Sequence, residues 1–182
     1  MTVENTPWKI SLHGGHSGEY CDHAVGTLRD VIEAAIAKGF KTYGISEHAP
    51  RHGERYIYAN ERERGWTLEK IKADFEAYAK AIFALAEEYA DRITILRGYE
   101  IEVVPHDRYA EIMLDYRKRY HFDYMVGSVH YIHDISIDST VEEFEQALKI
   151  TGGLEALARE YYESVGRMIE ALKPEVVGHL DL

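Results

Sequence analysis

The chain has 182 residues, enough for one domain with a sizeable core, since a domain of this length buries roughly 70% of the surface its unfolded chain exposes. Hydrophobic residues make up 46% and charged residues 29%, a balance that excludes a disordered or fibrous chain. A formal net charge of -11 with no dense Lys/Arg run excludes nucleic acid as the expected partner, and it would repel a phosphorylated substrate unless bound cations reverse the field locally. The single cysteine, Cys21, rules out an intramolecular disulfide and reads as a small packing residue. The start lacks the basic and apolar pattern of a signal peptide, and no stretch reaches 18 apolar residues, so a cytoplasmic protein with no membrane partner is expected.

In chain order, 8–13 (W-K-I-S-L-H) predicts a short strand, and 27–38 carries apolar residues at helical spacing up to Gly39, a C-terminal stop signal. Residues 40–46 predict a second strand. The polar segment after it, with Pro50 and several arginines, reads as a long loop. Over 67–90, Leu68, Ile71, Phe75, Tyr78, Ile82 and Leu85 alternate spacings of three and four, which predicts an amphipathic helix opening at Thr67. A β-rich stretch at 92–103, a charged helix at 107–119 and a strand at 122–130 follow. Helices are expected at 140–149 and 154–172, and E-V-V-G-H-L-D-L holds a last strand. Alternating strands and helices predict an α/β fold with parallel strands, either a barrel or an open sheet.

The histidines gain meaning on this map. His13, His16 and His23 follow the first strand, His48 the second, Glu100 sits late in the third, His130 ends the fourth and His179 lies near the end of the fifth. In a parallel α/β barrel the C-terminal strand ends converge on one mouth, so these residues become neighbours there. Imidazole nitrogen and carboxylate oxygen suit Zn, Mn or Fe, and seven such groups exceed the three or four ligands of one catalytic zinc, so more than one ion is expected. Residues i and i+3 of a regular strand face opposite sides; Gly14-Gly15 permits the kink that would let His13 and His16 share an ion. Glu102 shares the strand face of Glu100 and reads either as a ligand or as an exposed strand-end carboxylate. His52, His106, His121 and His133 read as surface or capped core residues.

The motifs H-G-G-H-S-G-E-Y-C-D-H-A, G-I-S-E-H-A-P-R, G-Y-E-I-E, D-Y-M-V-G-S-V-H and V-V-G-H-L-D-L, in this order over nearly the whole chain, resemble the PHP (polymerase and histidinol phosphatase) superfamily, and within it the monofunctional histidinol-phosphate phosphatases. The resemblance implies a single PHP domain with a distorted (β/α)7 TIM-like barrel, up to three divalent metal ions, and hydrolysis of the phosphomonoester L-histidinol phosphate to L-histidinol in histidine biosynthesis. It implies that His13, His16 and Glu100 hold one ion, that Glu100 bridges to a second bound by His130 and His179, and that His23 and His48 hold a third. It assigns the catalytic roles to Glu100 and His130. The family pattern usually opens D-x-H-x-H; here Ser11 stands at the acidic position and an extra glycine separates the histidines. The family also continues to a D-x-H motif on a final strand, so the resemblance implies a barrel incomplete at its C-terminal side.

Clustered cations suit this reaction: a pair can deprotonate a water for in-line attack while a neighbour neutralises the phosphoryl oxygens. Arg51 and Arg55, in the loop beside His48, are the candidate phosphate contacts, because guanidinium binds phosphate through two parallel hydrogen bonds. Two other readings remain open: a PHP phosphoesterase acting on a nucleotide or sugar phosphate, and a non-catalytic domain braced by its metals.

Overall fold

The computed structural model describes residues 9–21 and 24–181. Strand β1 (Lys9–Ser11) comes first; Trp8, expected in it, lies outside the described residues. Helix α1 (Leu28–Ala37) starts at a capping box: the Thr27 hydroxyl accepts the Asp30 N–H at 3.1 Å, and the Asp30 carboxylate accepts the Thr27 N–H at 2.8 Å. Strand β2 (Phe40–His48) runs two residues past the expected end, carrying Glu47 and His48 on the sheet. The segment read as loop holds a 3-10 turn (Glu54–Tyr56) and a short helix, α2 (Ala59–Glu63). That order is tertiary in origin, because Glu61 of α2 turns inward to a buried Arg51, a contact no local pattern announces.

Helix α3 (Leu68–Glu88) opens at Thr67, whose hydroxyl accepts the Lys70 N–H at 3.2 Å. Strand β3 (Thr94–Glu100) and helix α4 (Tyr109–Tyr120) lie where expected. Strand β4 (Tyr124–Gly127) is shorter than 122–130, so His130 sits three residues beyond its end. A hairpin follows that the sequence did not announce, β5 (Tyr131–Ile132) with β6 (Ile135–Ser136). Its two turn residues, His133 and Asp134, both have positive φ, as a two-residue hairpin turn of this hand requires. Helices α5 (Val141–Thr151) and α6 (Leu154–Leu172) and strand β7 (Val176–Val177) complete the description.

The sheet order is β1-β2-β3-β4-β7, and every neighbouring pair is parallel. Strands in chain order with no reversal, each followed by a crossover of the usual hand, put helices α1, α3, α4 and α6 on one face. That face holds the core: Ile32 of α1, Phe75, Tyr78 and Ile82 of α3, Met113 of α4 and Val165 and Met168 of α6 pack on Ile45, Ile95, Tyr99 and Met125 of the strands. The opposite face is concave. At ~4.8 Å per strand, a flat five-stranded sheet would hold its edge strands about 19 Å apart. The rings of His13 after β1 and His179 after β7 are 6.0 Å apart, so the sheet curls. The fold is α/β, as expected, and among the described residues its parallel strands form one curled sheet of five, against the expectation of a (β/α)7 barrel incomplete at its C-terminal side. No helix among the described residues is long and apolar enough to cross a membrane.

Candidate metal centre

The β2–β3 register aligns His48 with Glu100, so two strands end at one level. Alternation along β3 sends Tyr99 into the helix-side core and turns Gly98 and Glu100 to the concave face. The loop after β1 then reaches over this rim. A Cβ on Gly14 would lie 2.3 Å from the Gly44 carbonyl oxygen, and Gly15 has φ +87, so the two glycines serve close approach and turn respectively. The expected kink is there.

Glu100 is the hub, 1% exposed. Its Oε1 lies 3.1 Å from His179 Nε2, 3.4 Å from His130 Nε2 and 3.6 Å from His13 Nε2, while its Oε2 lies 3.3 Å from His16 Nε2 and 3.7 Å from His48 Nδ1. Glu102 is fully buried, which removes the exposed-carboxylate reading; its Oε2 faces His130 Nδ1 at 3.1 Å and its Oε1 faces His48 Nδ1 at 3.2 Å. Three triads result among the described residues: His13, Glu100 and His179; His16, His48 and Glu100; and His48, Glu102 and His130, each with donor atoms within 4.8 Å of one another. His13 and His16 fall into different triads that share Glu100, whereas the resemblance groups them on one ion. His130 and His179, which it pairs, have their Nε2 atoms 3.3 Å apart. His23 lies outside the described residues.

Burial alone would push both carboxyls up, but the histidines outweigh it: His48, His130, His16 and His179 hold Glu100 well below the usual range, and His130 and His48 hold Glu102 low. The imidazoles split. Burial lowers His48 to about 3, whereas Glu100 and Glu47 overcome burial and raise His16 to about 9. Two buried carboxylates among five imidazoles form a donor set suited to divalent ions of the zinc type, and the buried Glu47 Oε2 and His179 Nδ1 beside it have no hydrogen-bond partner. The residues fit a multi-metal centre.

The triads open into a cavity of about 550 Å³, whose far wall is Tyr58, Asn60, Asp138, Ser139 and Thr140. None of those five was singled out by the sequence, because they lie on loops and on the short helix α2 with no local signature. Arg51 and Arg55, expected as phosphate contacts, do not line this cavity. Arg51 is 2% exposed, bound to both oxygens of Glu61 and stacked 4.3 Å from the Tyr58 ring centre, so its guanidinium braces the wall from behind. Arg55 is exposed and pairs with Asp134 at 2.9 Å. The histidines set aside are elsewhere: His52 bonds Tyr116 Oη at 2.6 Å, His106 faces Asp134 at 3.5 Å, His133 bonds Glu160 at 2.6 Å, and His121 ends α4 with left-handed backbone. Cys21 is buried.

The PHP domain model matches residues 12–182 of the chain, a span that contains every one of these triads. The chain belongs to the PHP family. A Schizosaccharomyces pombe protein named "Probable histidinol-phosphatase" is 36% identical over 174 residues, 95% of this PHP chain and 56% of that protein. The Saccharomyces cerevisiae histidinol-phosphatase is 31% identical over 181 residues, 93% of this chain and 54% of that one. The chain therefore spans little more than half the length of these curated relatives. The solved histidinol phosphate phosphatase of Lactococcus lactis, in complex with zinc, L-histidinol and phosphate, has the same fold, with a TM-score of 0.66 at 21% identity over 95% of this chain and 58% of that one.

Proposed function

We propose that this PHP chain carries the site of a metal-dependent phosphomonoester hydrolase, with L-histidinol phosphate as substrate, and that its curled sheet is the greater part of a distorted (β/α)7 barrel in a single domain. The observation that carries the reading is the convergence of His13, His16, His48, His130, His179 and Glu100 on one cavity rim, with Glu102 buried behind His48 and His130. The names of relatives at 36% and 31% identity support the substrate.

His13, His16, His48, His130 and His179 with Glu100 and Glu102 would hold two or three divalent ions, and His23 remains a candidate ligand. Bound there, such ions supply a water acidic enough to attack at neutral pH and neutralise phosphoryl charge, which a monoester hydrolysis accelerated by up to ~10²¹-fold demands. The chain's own residues do the positioning. Glu100 and His130, at the centre of the triads, take the roles closest to the reacting phosphoryl group. The phosphate enters against the histidine rim, and the organic part lies toward Asn60, Asp138, Ser139 and Thr140, whose polar groups can receive hydrogen bonds and charge from an amine or imidazole. Tyr58 is held neutral by burial and presents its hydroxyl 3.4 Å from Glu102 Oε1, so it keeps that carboxylate oriented.

The test is phosphate release from L-histidinol phosphate, a sugar phosphate and a nucleoside monophosphate, each with Zn²⁺, Mn²⁺ or chelator. Metal-dependent turnover that favours histidinol phosphate is expected, and Glu100→Gln should lower it on the order of 10² to 10³-fold, the worth of several kcal/mol of lost charge stabilisation. Preference for another ester would reassign the substrate; metal binding without hydrolysis of any of the three would favour a braced domain.

A further inference from the structure

Glu47 is 1% exposed, and sequence reasoning gave it no role. By strand alternation it faces away from His48, toward the helix layer, yet its carboxylate meets the loop that carries His13 and His16. Ser17 engages Oε1 twice, through its backbone N–H at 2.8 Å and its hydroxyl at 2.7 Å. Those two donors fix the carboxylate's rotation. Its other oxygen, Oε2, has no hydrogen-bond partner and lies 3.5 Å from His16 Nδ1. A buried carboxylate oxygen left in this state is costly, and the imidazole N–H is the donor within reach after a shift of a few tenths of an ångström.

The neighbouring residue repeats the pattern. Ser46 Oγ lies 2.9 Å from His13 Nδ1. Both loop histidines thus hold Nδ1 against β2 and turn Nε2 to Glu100, His13 toward Oε1 at 3.6 Å and His16 toward Oε2 at 3.3 Å. The two partners differ in what they can enforce. A serine hydroxyl donates or accepts and tolerates either imidazole tautomer, whereas a carboxylate only accepts.

We propose that Glu47 is the positioning residue that fixes the tautomer of His16, accepting a hydrogen bond from Nδ1–H and thereby leaving the lone pair of Nε2 aimed at the ion-binding space beside Glu100. This inference rests on the metal-centre reading above. Its logic is that a ligating histidine is set by the hydrogen bond its other nitrogen makes.

Glu47→Gln separates this role from a structural one. The isosteric amide can still accept both Ser17 donors through its oxygen, which places its NH₂ opposite His16 Nδ1. A donor there requires Nδ1 to accept, so the ring's proton moves to Nε2 and closes the ligand position. Metal-stripped full chain, titrated with Zn²⁺ against a chromophoric chelator, should show one ion bound roughly 10 to 100-fold more weakly in E47Q, with the melting temperature of the metal-free protein unchanged. Zinc affinity within twofold of the parent would overturn the proposal and leave the metal centre standing; a parent chain that binds no zinc would overturn both. Should E47Q fail to fold, imidazole ¹⁵N spectra of the zinc-loaded parent decide: His16 must carry its proton on Nδ1 and zinc on Nε2, and the reverse arrangement rules the role out.

Discussion

Arg51 and Glu61 are ten residues apart in sequence and almost wholly buried against each other, with Arg51 also 3.8 Å from Glu102. Removing one member of a buried pair strands the other's charge, which costs about 3–5 kcal/mol. Glu61→Ala should therefore lower unfolding free energy by about that amount in a urea titration, although Glu61 is a member of none of the triads. A loss under 1 kcal/mol would mean that Arg51 finds water or another carboxylate. At this scale the sequence was half legible. Histidines at successive strand ends announced themselves because imidazole is rare and the spacing recurred. Arg51 did not, since a guanidinium beside a candidate phosphate site looks the same whether it faces the ligand or a carboxylate behind the wall. Glu47 and Glu102 were harder still, because an acidic residue at a strand end carries no sign of its burial.

Elements were legible where periodicity and caps agree. Thr27, Thr67 and Thr140 each cap the helix expected to follow them. The β5–β6 hairpin was not, because His-Asp lacks the glycine that usually marks such a turn. Two acidic residues clip the strands at the end remote from the site. Asp123 accepts the Arg97 N–H at 2.9 Å and its guanidinium, and Glu175 accepts Arg117 at 2.6 Å and the Met125 N–H at 3.1 Å. Burial raises both carboxyls, but Arg97 in one case and Arg117 with the Met125 N–H in the other outweigh it, so each lies below its ordinary value. A depressed folded-state pKa gives stability that is present above the unfolded value and is lost as pH falls through the folded one. Denaturant midpoints should thus drop between pH 6 and pH 3, and Asp123→Asn should shrink that drop. An equal drop in the variant would assign the acid sensitivity elsewhere.

For the whole molecule, alternation of strands and helices was enough to predict a parallel α/β fold, and strand-end chemistry was enough to predict one rim. Curl was not readable, since it depends on pairings far apart in sequence that become visible only when His13 and His179 meet. Ions bound at that meeting point would clasp the two edge strands of the sheet. Ligands that bind only the folded state stabilise by mass action, about 2.7 kcal/mol for an ion at 100 times its Kd. For a chain of this size each kcal/mol moves the melting temperature by about 2–4 °C. Chelation should therefore lower the melting temperature by roughly 5 to 11 °C per ion removed, as read by calorimetry with and without EDTA. No shift would mean that metal and fold are uncoupled.

Glu100 belongs to two of the three triads, and so does His48. The ion positions are thus not three separate sockets but one piece of plumbing with shared walls. An ion in one position would hold the Glu100 carboxylate, which can bridge, in place for the next, and stripping one position would loosen its neighbour. Such a rim would couple the loading and the emptying of its positions. The cell's supply of the first ion would then govern whether the remaining positions are ready at all.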